Sequence, residues 1–355
     1  MVMLMLEINL LKTTIMILVP FVFVATVIPL VKKIAFHVGA LDIPNERKVH
    51  KKPMPRLGGL GIYLGFLLGY MLFGDHTYMM NSILIGSFIL VITGMIDDIK
   101  PLDAKYKLIG QIISGLIVVF YGRIILQDVS FFGIYINFGV LAYPITILFI
   151  LGCINCLNLI DGLDGLAGGI SAIFFLTIGI IAFSQGFGGL AFELAFMMTF
   201  VMLGSTSGFL VHNFHPAKIF MGDSGSMFLG FIISIITILG FKSVLMSSII
   251  IPMFILFVPI MDTFLAILRR KLKGESVSKP DKSHIHHQLL RRNFSQTTTV
   301  LIIYLITTFF STASIIYLLV DSILGYIVYG VLMVFVIVFV MKTDILFEHK
   351  KKVNK

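Results

Sequence analysis

The segment Asn155–Gly169 reads Asn-Cys-Leu-Asn-Leu-Ile-Asp-Gly-Leu-Asp-Gly-Leu-Ala-Gly-Gly and sets two amides, two carboxylates and four glycines between long apolar runs. Asn155 and Asn158 are three residues apart, so on a helix they share a face. Asp161 and Asp164 repeat that spacing. Gly162 and Gly165 each follow a carboxylate, where a glycine lets the backbone turn and a ligand come close. A polar turn between two membrane helices needs one or two such residues, and this stretch has eight. It is not an EF-hand calcium loop, because the alternating acids and the closing Glu are missing.

Four further clusters carry the same kind of chemistry. Gly94-Met95-Ile96-Asp97-Asp98-Ile99-Lys100 ends an apolar run on two adjacent carboxylates. Held at the bilayer centre each acid would cost roughly 2.5–3.5 kcal/mol. At the interface the cost is smaller, but the pair still repels itself, and a metal ion or a cationic partner would relieve it. Lys100, Lys105 and Lys107 follow closely. The loop from His212 through Asn213, Phe220 and Gly222-Asp223-Ser224-Gly225-Ser226 offers small residues, amide hydrogens, a helix start and one hard carboxylate. Loop 32–56 contains Asp42, Arg47, Lys48, His50, Lys51 and Lys52, either resting on anionic lipid or forming a cationic lid over phosphates. Asp262, beside Arg269 and Arg270 as possible partners, precedes His284-Ile285-His286-His287. Zinc on these histidines would lack a cysteine or a spaced carboxylate, so phosphate or nucleotide contacts fit better.

The elements that position these residues are membrane helices. Of 355 residues, 58% are hydrophobic and 13% charged, and the mean hydropathy is +1.02. Eleven apolar runs fall near 14–31, 57–73, 82–96, 108–121, 139–157, 168–184, 191–211, 225–241, 246–268, 298–320 and 322–341. The expected fold is an all-α, polytopic bundle of about eleven helices forming a single domain over residues 1–355, with a membrane core of about 14–341. Gly61, Gly65 and Gly69 make a ladder for close helix packing. The first run is too long for a signal-peptide core and is followed by basic residues, not a cleavage site. The two cysteines, Cys153 and Cys156, imply no disulfide framework and read as small core residues.

Basic residues set the orientation. Loops 32–56, 97–107, 158–167, 212–224 and 269–297 and the C-terminal tail hold 24 of the 27 lysines and arginines. The other side holds only Lys12, Arg123 and Lys242. The positive-inside rule then places the N-terminus outside and the C-terminus in the cytoplasm. Every loop with unusual polar chemistry falls on the cytoplasmic face. In a membrane protein the net charge of +9 reports orientation first, and no nucleic-acid partner is expected.

Carboxylates and amides without thiolates select a hard cation such as magnesium. Magnesium with basic loops points to phosphorylated substrates. Walker A and kinase glycine-loop sequences are both missing, which argues against ATP hydrolysis. A transporter would place its acids near the midplane, whereas these sit at one edge. The residues alone lead to magnesium-dependent phosphotransfer at the cytoplasmic membrane face.

The ordered set Asp97-Asp98, Asn155-x-x-Asn-x-x-Asp-Gly-x-Asp-Gly-Leu-Ala-Gly, Phe220-Met-Gly-Asp-Ser-Gly-Ser and His284-Ile-His-His resembles the polyprenyl-phosphate N-acetylhexosamine-1-phosphate transferases, the family of MraY, WecA and TagO. The resemblance implies that an undecaprenyl phosphate oxygen attacks the β-phosphorus of a UDP-sugar and that UMP leaves. It implies Mg2+, with Mn2+ a possible substitute, on Asp223 and shared with Asn158. Asp97 would act as base or orienting group for the lipid phosphate, with Asp98 beside it. Phe220 would stack on uracil, while Asn155, Asn213, Asp161 and Asp164 would contact the nucleotide. Lys107, Arg47, Lys48, His50, His284, His286 and His287 would meet phosphate or sugar. Members using the muramyl-pentapeptide nucleotide typically carry three consecutive histidines and a nearby glutamate. Here Ile285 interrupts the histidines and Gln288 follows. Segment Arg47-Lys48-x-His50 also looks like the WecA/TagO branch, so UDP-N-acetylglucosamine is the expected donor. A homodimer is consistent with the resemblance.

Overall fold

A computed structural model describes residues 2–44, 53–131, 134–185, 189–242, 250–272, 274 and 284–341. Arg47, Lys48 and His50 lie outside the described residues. Among those described, the α-helices are α1 Val2–Val38, α2 Gly58–Phe73, α3 Tyr78–Ile99, α4 Ala104–Leu116, α5 Ala142–Ile160, α6 Leu166–Gln185, α7 Gly189–Asn213, α8 Gly222–Lys242, α9 Ile250–Ile255, α10 Phe257–Leu272, α11 Ile285–Arg291, α12 Gln296–Leu319 and α13 Ser322–Met341. Eight are long and apolar enough to cross a membrane, and Gly58–Phe73 and Ser322–Val338 are shorter apolar helices. The chain is an all-α, multi-pass membrane protein.

Ten of the eleven expected spans coincide with one helix, or with a helix and its tightened end: α4 continues as a π-turn over Ile117–Tyr121. The ninth differs. Its described part is not one helix but α9 and α10, broken at Leu256. Pro259 explains the break, since its nitrogen carries no hydrogen for Ile255 and its ring crowds that carbonyl. Two small antiparallel ladders were not expected: β1 Leu41–Asp42 with β2 Met54–Pro55, and β3 Asp128–Phe131 with β4 Ile134–Asn137.

The most enclosed helix is α8, packed among α2, α3, α5 and α7. Its neighbours approach closely because glycines meet its first turn. A Cβ on Gly59 would fall 2.1 Å from Gly225 N, and one on Gly94 would fall 2.4 Å from Ser224 Cα. The Gly61–Gly65–Gly69 ladder wedges α2 between Ile28 and Val24 of α1 and Ser205 and Val201 of α7. Backbone bonds then tie loop 39–57 to the α7–α8 turn: Phe220 N–H donates to Pro55 O, Gly58 N–H to Phe220 O and Gly59 N–H to Met221 O. The polar residues at the start of α8 are thus held from three sides.

Candidate active site

Three carboxylates converge where α3 ends and α8 begins. Asp97 and Asp98 occupy the last turn of α3, and both are buried. Asp223 follows Gly222, whose φ of +73° suits glycine. Each of the three offers a ligand oxygen within 4.8 Å of the others. Such a cluster needs compensation, and the fold supplies it. Asp98 Oδ1 accepts the Asp223 N–H at 2.9 Å, and Oδ2 accepts the Ser224 N–H at 3.2 Å and its O–H at 2.8 Å. A carboxylate at a helix N-terminus also meets the positive end of the helix dipole. Arg56 lies 3.6 Å from Asp98, 3.5 Å from Asp223 and 3.6 Å from Asp42. Lys107 Nζ reaches Asp223 Oδ2 at 2.9 Å and Asp97 Oδ2 at 3.4 Å. Asp97 Oδ1 accepts the Leu102 N–H at 2.8 Å.

Asp223 and Arg56 also face a cavity of about 540 Å3, lined further by Asp42, Asn158, Asp161, Asp164, Asn213, His215, Phe220 and His287. That volume suits a nucleotide-sized ligand, since small-molecule pockets span roughly 300–1,000 Å3. Asn158, on the last turns of α5, donates through Nδ2 to Ser226 Oγ at 2.9 Å, which fixes its amide. Asn213 is buried, and its amide pins two backbones: Oδ1 accepts the Gly165 N–H and Nδ2 donates to Ile219 O. Asp164 accepts from His215 Nδ1 at 2.8 Å and from the Ala217 N–H at 3.1 Å. Burial, and then the Asp223 charge, push the Asp161 pKa up to about 7. For Arg56 burial acts downward, but the charges of Asp98, Asp223 and Asp42 outweigh it and hold the guanidinium above its ordinary value.

Of the other expected site residues, Asn155, His284 and His286 are not part of the cavity lining. Asn155 turns toward α4, donating to Gln111 Oε1 at 2.8 Å, so the two amides of α5 serve different neighbours. Asp161 and Asp164 lie beyond the end of α5, not on a shared helical face. Asp262 accepts from His284 Nδ1 and the Ile285 N–H, both at 2.8 Å. His286 packs so closely on Gly162 that a Cβ there would fall 2.6 Å from its Nε2. Burial, with His287 adding to it, lowers the His286 pKa to about 3, so this imidazole is neutral. His287 lines the cavity. Cys153 and Cys156 are free thiols on α5.

Several residues here carried no separate weight in the sequence. Arg56 was one of seven basic residues in its loop. Gln111 and Tyr304 sit in apolar spans, and the Tyr304 hydroxyl donates to Gly165 O across the bundle. For Gln111 the single amide in its span was the available signal, whereas Tyr304 sits among several threonines and serines and had none.

A model of glycosyl transferase family 4 matches residues 80–241. The chain is 42% identical over 315 residues to a probable undecaprenyl-phosphate N-acetylglucosaminyl 1-phosphate transferase of Bacillus subtilis, covering 88% of this chain and 87% of the relative. The chain belongs to glycosyl transferase family 4. A decaprenyl-phosphate N-acetylglucosaminephosphotransferase of Mycobacterium tuberculosis is 34% identical over 81% of this chain and 78% of its own length. An Escherichia coli undecaprenyl-phosphate alpha-N-acetylglucosaminyl 1-phosphate transferase is 28% identical over 78% and 76%. The family match spans Asp97, Asp98, Asn158 and Asp223, so it covers both sides of the acid cluster.

The donor set fits a hard divalent cation. It offers carboxylate oxygens within 4.8 Å, with no thiolate in the cluster. Asp42, Asp97, Asp98, Asp161, Asp164 and Asp223 outnumber Arg56 and Lys107, so a phosphorylated ligand would enter a site already rich in negative charge.

Proposed function

We propose that this glycosyl transferase family 4 protein transfers N-acetylglucosamine-1-phosphate from UDP-N-acetylglucosamine to undecaprenyl phosphate at the cytoplasmic membrane face. The product is a lipid-linked sugar pyrophosphate that starts a cell-envelope polymer. One observation carries the reading: Asp223, at the start of α8, belongs both to the acid cluster at the end of α3 and to the wall of a nucleotide-sized cavity.

An oxygen of the lipid phosphate forms the new bond to the donor's β-phosphorus. The bond from that phosphorus to the bridging oxygen breaks, and UMP leaves with the electron pair. Transfer of this kind depends on positioning and charge neutralisation more than on covalent chemistry. Asp223 and Asn158 would hold Mg2+, which when bound supplies charge compensation for the donor pyrophosphate. Lys107 and Arg56 bring fixed positive charge to the same place and keep the carboxylates from repelling one another. Asp98 is committed to the start of α8 and holds Asp223 in place, which leaves Asp97 as the carboxylate for the lipid phosphate. Phe220, which lines the cavity, provides the aromatic face for uracil. The relatives named for N-acetylglucosamine support that donor, and the uneven distribution of lysine and arginine supports the cytoplasmic face.

Purified full-length protein in detergent, given UDP-N-acetylglucosamine, undecaprenyl phosphate and Mg2+, should release UMP only when all three are present. UMP release that ignores the lipid phosphate, or no release at all, would overturn the proposal. Replacing the donor with UDP-muramyl-pentapeptide should abolish turnover.

A further inference from the structure

His215 lines the cavity and has no part in the transfer step. His215, on the turn between α7 and α8, has a side chain 40% exposed, and its Nδ1 lies 2.8 Å from Asp164 Oδ2. The same oxygen accepts the Ala217 N–H at 3.1 Å, so the carboxylate is itself fastened to the turn. An ionised carboxylate can only accept hydrogen bonds, so the hydrogen in this contact belongs to His215 Nδ1. That fixes the ring's orientation and, in the neutral ring, its tautomer. Nε2 is left to meet a ligand, and in the neutral ring it is an acceptor. His215 shares its turn with Phe220, and both line the cavity.

We propose that His215 is a recognition residue for the nucleoside end of the donor, its Nε2 accepting a hydrogen bond from uracil N3–H or a ribose hydroxyl. Asp164 is the positioning residue that aims it. The inference rests on the nucleotide-sugar reading and assigns part of its specificity. Uracil and ribose both present a donor, whereas cytosine presents an acceptor at N3.

The test uses steady-state UMP release by the full-length protein. His215→Asn keeps a donor directed at Asp164 but has no atom at the Nε2 position, and His215→Gln does the reverse. His215→Ala and His215→Asn should raise KM for UDP-N-acetylglucosamine about tenfold, with kcat within about threefold, as expected for one lost hydrogen bond. His215→Gln should recover most of the loss. Asp164→Ala, which removes the acceptor for Nδ1, should raise KM in the same direction by a smaller factor, and the double variant should be no worse than His215→Ala alone, because the two act as a unit. Competition by UMP, CMP and 2′-deoxy-UMP separates the two donors. If N3–H is read, His215→Ala loses the preference for UMP over CMP; if a hydroxyl is read, it loses the preference for UMP over 2′-deoxy-UMP. A His215→Asn variant with wild-type KM makes the pair merely structural and overturns the inference, as does a His215→Ala variant that keeps both preferences. A wild-type protein that releases no UMP overturns the proposed function instead, and this inference with it.

Discussion

Asp98 should be worth more to the folding of this protein than its neighbour Asp97, and Asp98→Asn measures the difference. Asp98 accepts three hydrogen bonds from the first residues of α8 and faces Arg56 at 3.6 Å. Asparagine keeps the shape but only one accepting oxygen. Its NH2 must then point at the Asp223 N–H or at the two donors of Ser224. A hydrogen bond to a charged group contributes about 1.5–3 kcal/mol, and a charge at a helix terminus about 0.3–1 kcal/mol. Burial of the ionised carboxylate offsets part of this, so the expected loss is about 2 kcal/mol, and Asp98→Asn should melt roughly 4 °C below wild type. Asp97 makes weaker use of its charge. Its Oδ1 accepts one backbone N–H, which an asparagine oxygen can still do, and Lys107 stands 3.4 Å from Oδ2. Asp97→Asn should cost about 1 kcal/mol, because Lys107 keeps its 2.9 Å contact with Asp223 and is not left unpaired, while UMP release falls sharply. Thermal unfolding in detergent, without substrate or divalent ion, checks both. An Asp98→Asn variant that melts with wild type, or two variants that melt together, would refute the division of labour between these acids.

Other perturbations follow from the same geometry. Gly162→Ala should push His286 off the loop, since the new Cβ would stand 2.6 Å from Nε2; UMP release should drop and KM for the donor rise. Tyr304→Phe removes the hydroxyl that donates to Gly165 O, costing about 1 kcal/mol of stability, which a chemical-denaturation series can read. His286 has a folded-state pKa of about 3, so the unfolded chain binds its proton first as pH falls below its ordinary value. Stability should decline between about pH 6.5 and 3, and His286→Gln should flatten that part of the profile. Asp161 has the opposite sense: with its pKa raised to about 7, the folded state holds the proton longer. Its burial therefore costs most above pH 7, and Asp161→Asn should raise the melting temperature more at pH 8 than at pH 5.

How much of this was legible in the residues depended on whether the physics was local. The spans were readable because each is a continuous apolar run, and the glycine ladder because its period matches one helix face. Asp97-Asp98 and Asn155–Gly169 stood out because acids and amides are scarce in such surroundings. The broken ninth span was signalled by Pro259, whose effect falls four residues earlier, at Ile255. Nonlocal pairings were hidden. Asp42 and Arg56 meet across a two-residue ladder closed by a loop outside the described residues, and nothing in that loop distinguishes Arg56 from six other basic side chains. Tyr304 and Gly165 are 139 residues apart. Asn155 and Asn158 do sit on one helix, yet a three-residue step still turns them toward α4 and α8 respectively.

The position of the acids follows from what an enclosed helix offers at its start. Burial of α8 removes water from its flanks, so the unsatisfied N–H groups of its first turn must find protein acceptors. Asp98 meets that need, and the need in turn makes a buried carboxylate tolerable at the edge of a membrane. Asp223 is then held beside it by its own backbone, and two negative side chains share one helix terminus. Repulsion between them is what requires Arg56 and Lys107, and the negative charge those two cations leave uncompensated is what a divalent cation would neutralise when a phosphorylated ligand binds. The apolar run that makes α8 a central helix and the polar residues that begin it are thus parts of one solution: the first creates a terminus that has to be neutralised, and the second turns that neutralisation into a binding site.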